Sequence, residues 1–316
     1  MRTIGQKEEI RRIRYTANVI AMVELGGLLL NFLLYPVMDR MPHYPEGSFG
    51  AQLTDLILYL IVFAIPVCVA SKWSGMSAKE LIGRGKPTKT IYIMTIGLTM
   101  GWSYIAGYFS IGIDGILQQF GLCEVADPYI LPTSGGAMFL QFLAVAIVPP
   151  IVEELCYRGF FLNAAVRTMG TWSAIVLTSL AFWLAHYSIE ILPLAFGFGM
   201  IGGYIRRRYG SLLPSMCAHF VVNSIYLITN IAWSIGGDFA GMMLSAGISL
   251  LEILLGAIGV TLFIQEGCLK QIREQSFGWR VSLTPAQITY AVLTSIPMLF
   301  TLGTIIYFTA TNLEVL

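Results

Sequence analysis

The stretch Val148-Pro149-Pro150-Ile151-Val152-Glu153-Glu154-Leu155-Cys156-Tyr157-Arg158-Gly159 decides how this chain is read. Two carboxylates and a guanidinium lie inside a run otherwise apolar enough to enter a membrane. Ionisable groups in a bilayer cost several kcal/mol each, so they face a bundle interior and mark a functional site. Two more apolar runs carry polar groups of matching kind. They are Phe182-Trp183-Leu184-Ala185-His186 and His219-Phe220-Val221-Val222-Asn223. A carboxylate, two imidazoles and an amide are the parts needed to activate a water molecule and steady an oxyanion.

Composition agrees with a membrane setting. The 316 residues are 56% hydrophobic and only 12% charged, with a mean hydropathy of +0.73; soluble domains carry about 25% charged residues. A net charge of +1 gives no basic field for nucleic acid. The five cysteines, Cys68, Cys123, Cys156, Cys217 and Cys268, show neither a disulfide framework nor a C-x-x-C metal spacing. The first apolar run is long enough to span, so it reads as a helix of the fold and not as a cleaved leader.

A hydrocarbon core of about 30 Å needs about 20 apolar residues per helix. Nine segments approach this length: roughly 15–37, 52–70, 90–113, 137–165, 171–187, 190–206, 210–232, 239–264 and 287–310. Against lipid every backbone group must be paired within the segment, so these are helices. The expected fold is an all-α polytopic bundle of eight or nine spans. With alternating connections, 18 of the 19 basic residues, including Arg158 and Arg167 near the fourth turn, fall on one side, and only Arg40 on the other. The positive-inside rule then predicts a cytoplasmic amino terminus and a multi-pass protein of the cell membrane. Ser77-Ala78-Lys79-Glu80 has capping-box spacing for a short helix. Residues 114–135, Gly/Pro-rich and free of Lys and Arg, read as an outer loop. Three regions are expected: a three-span stretch over 1–136, a catalytic core over 137–230 and a two-span stretch over 231–316.

Spacing brings the polar groups to one depth. Glu153 lies 14 residues before Arg167 and His186 lies 15 after Thr171. At 1.5 Å per residue, both sit about 21–22 Å from the hairpin turn between them. His219 and Asn223 are i,i+4 on one face, as are Phe182 and His186, so Phe182 can wall the imidazole. Glu154 and Arg158 are also i,i+4 and can ion-pair. Glu153 lies about 100° around the helix from Glu154, so the two carboxylates have different jobs. Pro149-Pro150 removes backbone donors just ahead of them and should kink or widen the helix.

The Glu-Glu-x-x-x-Arg-Gly, Phe-x-x-x-His and His-x-x-x-Asn runs, in this order, resemble the CPBP family. That family contains the Rce1-type CAAX prenyl proteases and the bacteriocin-processing or immunity proteins also called Abi proteins. The resemblance covers about residues 137–230. It implies an intramembrane endopeptidase in which Glu153 activates water with His186, while His219 and Asn223 stabilise the oxyanion. Glu154, Arg158 and Phe182 are then supporting residues. A peptide or membrane-protein substrate follows, reached within the lipid bilayer.

Other chemistries leave weaker traces. There is no H-E-x-x-H for a zincin-type site, and no G-x-S-x-G within a span. Metal stays open: Glu153, His186 and His219 could supply three zinc ligands with water as the fourth. A non-catalytic membrane partner or immunity scaffold of the same family is the alternative function, which motif decay would favour; here all three motifs are intact. Glu24, Asp55 and Glu252 also lie within spans, with interhelical, gating and interfacial roles all open.

Overall fold

The computed structural model describes residues 4–38, 44–125, 129–273 and 282–315. Arg2, Arg40 and Arg280, used above for orientation, lie outside the described residues. The chain is mostly helical. In order it forms α1 (Ile4–Met38), α2 (Phe49–Trp73), α3 (Ala78–Ile82), α4 (Lys89–Gln119), β1 (Leu122–Glu124), α5 (Gly135–Met169), α6 (Thr171–Leu184), α7 (Leu192–Tyr209), α8 (Leu213–Gln265), α9 (Cys268–Arg273), α10 (Pro285–Leu293), α11 (Ile296–Thr311) and β2 (Leu313–Val315).

Each of the nine apolar segments is helical, but they are unequal. Among the described residues, α1, α2, α5 and α8 are long and apolar enough to cross a membrane. The pair α10 and α11, bent by 80°, makes a fifth if it forms one span. Helix α6 has 14 residues, and α7 ends in Arg206, Arg207 and Arg208. Helix α4 is 31 residues long, but Gly, Ser and Thr dilute its hydropathy. Those small residues serve packing: Gly101 and Gly256 meet backbone to backbone, and a Cβ on Gly101 would lie 2.7 Å from the Gly256 Cα. Small residues at such crossings let membrane helices approach closely.

Helix α8 has 53 residues and would be roughly 80 Å long if straight. It breaks at Gly237, which takes φ 64° and ψ −167°, a left-handed conformation open to glycine. The chain turns back there, because Gly241 packs directly on the Trp233 ring. The expected spans at 210–232 and 239–264 are the two arms of this element.

The prolines explain the other irregularities. Wide π-type turns occupy Leu60–Ala64 in α2, just before Pro66, and Leu143–Ile147 in α5, just before Pro149 and Pro150. A proline lacks the N–H that would bond the carbonyl four residues back, so the helix rearranges. A third wide turn, Leu155–Phe161, follows the Glu153-Glu154 pair. Such π-bulges are frequent at functional sites.

Two clusters of contacts mark opposite ends of α4. At one end the Gly85 N–H donates to the Gly210 carbonyl (2.9 Å), and the Leu212 N–H donates to Ile82 (2.9 Å). Helix α3 is fixed there by its Ser77–Glu80 capping box. The Ser77 backbone N–H, followed by its hydroxyl, holds the Glu80 carboxyl below its ordinary range. At the other end Ser110 Oγ donates to the Glu190 carbonyl (2.6 Å). There β1 pairs antiparallel with β2, Leu122 opposite Val315. The ribbon departs from the all-helical expectation, and α4 runs on to Gln119 inside the stretch read as a loop. Arg158, counted with the basic loops, is instead buried in the bundle.

Cysteines placed at Lys79 and at Asp238, in a background cleared of native cysteines, should react with a membrane-impermeant maleimide from opposite sides. Labelling of both from one side would refute a membrane crossing by the arm of α8 that runs from Leu213 to Gly237.

Candidate active site

Helix α5 carries both carboxylates of the Glu153-Glu154 pair, and they separate into two environments. Glu154 is fully buried. Its Oε1 accepts from Arg158 Nη1 at 2.8 Å, and both side chains are essentially unexposed, at 0% and 1%. Its Oε2 accepts from Ser215 Oγ at 2.5 Å. The Arg158 guanidinium lies over the Phe182 ring at 4.2 Å and over the Phe198 ring at 5.0 Å. Aromatic faces attract a cation, and more strongly where water is excluded. Gly202 of α7 leaves the room for this arrangement, since a Cβ there would lie 2.6 Å from Ser215 Oγ.

Glu153 lies one residue earlier and opens in another direction. Its Oε1 accepts from the Tyr59 hydroxyl of α2 at 2.8 Å. Its Oε2 lies 3.7 Å from His219 Nε2, just beyond direct hydrogen-bond distance. The other nitrogen of His219, Nδ1, is 3.5 Å from Glu154 Oε1. One imidazole on α8 is therefore flanked by both carboxylates of α5. The helical offset between Glu153 and Glu154 does not send them to separate sites; it places them on the two sides of His219.

His186 enters through Phe182. The Phe182 ring is 5.0 Å from the His186 ring and 5.9 Å from the His219 ring, edge-on to both. His186 Nδ1 lies 2.8 Å from the Phe182 carbonyl. A carbonyl only accepts, so the proton belongs on Nδ1 and the Nε2 lone pair is free. Asn223, one turn past His219, donates from Nδ2 to the Val145 carbonyl at 2.9 Å. Val145 lies four residues before Pro149, so this is the carbonyl that the proline leaves without its helical donor.

The turn after His186 is held from three sides. Tyr187 takes φ 52°, which costs a non-glycine residue about 1–2 kcal/mol. Its carbonyl accepts from Asn312 Nδ2 at 3.0 Å. Trp183 Nε1 donates to the Ser188 carbonyl at 2.7 Å. Glu124 of β1 accepts from Ser188 Oγ at 2.6 Å and from the backbone N–H groups of Ile189 and Glu190. The two-stranded ribbon thus anchors the segment that carries His186.

Tyr59, Ser215, Glu124 and Asn312 were not singled out from the sequence. Ser215 alone left a trace, being one turn before His219 on the same helix face. Among the described residues no three His, Cys, Asp or Glu side chains converge as metal ligands. The contact of His186 Nδ1 with the Phe182 carbonyl is one that a metal-bound histidine also makes, and it leaves Nε2 as the ligating atom.

Residues 135–225 match the family described as "Type II CAAX prenyl endopeptidase Rce1-like". All three motifs lie within that stretch. Over 141 residues the chain is 26% identical to "Putative membrane peptidase YdiL" of Bacillus subtilis (strain 168); the alignment covers 42% of this chain and 57% of that protein. The chain thus spans little more than half the length of that curated relative. No solved structure matches it.

Arg158→Ala should destabilise the folded protein by about 3–5 kcal/mol, because the Glu154 charge is left buried without its partner. Unfolding in detergent, monitored by circular dichroism, measures this; a loss under 1 kcal/mol would show that the pair is not structural. Glu124→Ala should speed amide exchange at Ile189 and Glu190 by about 10–100-fold, the size of a lost charge-assisted hydrogen bond. Unchanged exchange there would mean that β1 does not hold the His186 turn.

Proposed function

We propose that the chain is a multi-pass intramembrane endopeptidase that hydrolyses a peptide bond with a water activated by Glu153. The observation that carries this reading is the pairing of Glu153 Oε2 with His219 Nε2 at 3.7 Å, inside a segment of Rce1-like sequence. Because Tyr59 occupies Oε1, Oε2 is the oxygen that meets the water.

Chemistry follows from the positions. Glu153 takes a proton from water, and the water oxygen bonds to the scissile carbonyl carbon. The carbonyl electron pair moves onto its oxygen. His219, with a proton on Nε2, and the second amide hydrogen of Asn223 are the donors for that oxyanion. The free Nε2 of His186 accepts a hydrogen bond from the attacking water. When the carbon–nitrogen bond breaks, Glu153 returns its proton to the leaving nitrogen, and an acid and an amine are released. Glu154 and Arg158 stay paired beside His219. No step is routed through a metal.

Topology belongs to the same proposal. Basic residues near Lys79, Arg84 and Arg207 gather at the end of the bundle where α3 meets the α7–α8 turn. We place this end, and the amino terminus, on the cytoplasmic side by the positive-inside rule.

Glu153→Gln should abolish cleavage while leaving unfolding unchanged, since an amide keeps the shape and the Tyr59 bond but takes no proton at neutral pH. Asn223→Ala should retain partial activity, about 10²–10³-fold down, as for one lost oxyanion donor. Both are measured with membrane-peptide substrates in reconstituted vesicles. A well-expressed Glu153→Gln protein that fully complements a deletion would instead identify a scaffold. Cleavage that disappears with a chelator and returns with zinc would replace the metal-free mechanism.

A further inference from the structure

A second intramembrane carboxylate, Glu24 of α1, plays no part in the chemistry above. It accepts a hydrogen bond from the Tyr157 hydroxyl at 3.1 Å and lines a half-open cavity of about 300 Å³ bordered by α1, α2, α5, the turn after α6 and the end of α11. This cavity adjoins the proposed site on three walls. Cys156 and Tyr157 line it one turn after Glu153. Phe63 lines it one turn after Tyr59, whose hydroxyl bonds Glu153. Ala185 and Tyr187 line it on either side of His186.

The chemistry of the lining is lopsided. Glu24 is the one charged side chain among the lining residues, and no Lys, Arg or His is with it. The Tyr157 proton is already committed to Glu24. Asn312 gives its amide hydrogen to the Tyr187 carbonyl, which leaves its side-chain oxygen as an acceptor. The Phe63, Tyr187 and Phe308 rings contribute aromatic surface. A carboxylate, the carboxamide oxygens of Asn312 and Asn31 and ring faces together favour a cation with several N–H donors. A carboxylate in a membrane with a neutral hydroxyl as its partner and no cation beside it is costly, and the cavity has room for one side chain.

We infer that this cavity is a subsite for a basic side chain, a lysine ammonium or arginine guanidinium of the substrate, read by Glu24. The inference deepens the endopeptidase reading and rests on it for the word substrate. It sets a specificity: cleavage occurs next to a basic residue drawn into the bundle. Glu24 is a binding residue and touches no reacting atom.

Binding tests this without turnover. Butylguanidinium and its neutral isostere butylurea are titrated calorimetrically into the full-length protein in detergent, as wild type, Glu24→Gln and Glu153→Gln. The amide in Glu24→Gln keeps an acceptor for Tyr157, so the fold is retained. Wild type should prefer the guanidinium by about 10–100-fold, as expected for a hydrogen-bonded charge pair. Glu24→Gln should erase that preference, and Glu153→Gln should keep it. No preference in wild type, or one that survives Glu24→Gln, overturns the subsite. A preference lost only in Glu153→Gln also overturns it, since the cation then sits at the proposed catalytic carboxylate. Cleavage of a peptide library by the same three proteins separates the two readings. If guanidinium binding depends on Glu24 but wild type cleaves nothing, the subsite stands and the peptidase reading falls. If wild type cleaves without regard to basic residues, the peptidase stands and the subsite falls.

Discussion

The ion pair between Glu154 and Arg158 is the constraint around which the site is organised. Two opposite charges held 2.8 Å apart with almost no exposure need further partners in an apolar bundle. Ser215 adds a hydrogen bond from α8, and the rings of Phe182 on α6 and Phe198 on α7 turn their faces to the guanidinium, whose Nη2 has no hydrogen-bond partner among the described residues. One pair on α5 thereby fixes the relative positions of three other helices. His219 is located by the same arrangement, because Ser215 is one helical turn before it. Glu154 is engaged by Arg158, and Glu153 instead faces Tyr59 and His219. The adjacent acids divide into one enclosed in an ion pair and one, the proposed base, without a guanidinium partner.

Spacing within a single helix was legible in the sequence. Glu154 with Arg158, Phe182 with His186, and His219 with Asn223 each follow from a four-residue repeat, which needs no knowledge of tertiary packing. The capping box of α3 was legible for the same reason. Contacts between helices were not. Tyr59 reaches Glu153 across 94 residues and Tyr157 reaches Glu24 across 133. Helices that are apolar all round carry no amphipathic stripe to say which face meets which neighbour. The ribbon was hidden too, since three-residue strands from opposite ends of the chain have no periodicity to detect. The number of spans is hidden for a different reason. Hydropathy marks apolar residues, but Gly237 and the bend between α10 and α11 decide how they are divided.

Asn223 shows how a backbone defect and a proposed oxyanion donor can share one device. Pro149 strips the Val145 carbonyl of its helical donor, and the Leu143–Ile147 turn widens as a result. Left alone, that carbonyl would be an unpaired acceptor in a medium without water, at a cost of several kcal/mol. Asn223 supplies the missing hydrogen from a neighbouring helix. The carboxamide has a second N–H, and the first bond fixes where it points. A side chain tethered in this way lost its rotational freedom when the protein folded and loses little more when an oxyanion forms nearby. That is the condition for electrostatic preorganisation. The proline therefore does more than open the helix ahead of Glu153. It creates the acceptor that orients the amide, so the widened turn and the candidate oxyanion donor depend on the same missing hydrogen.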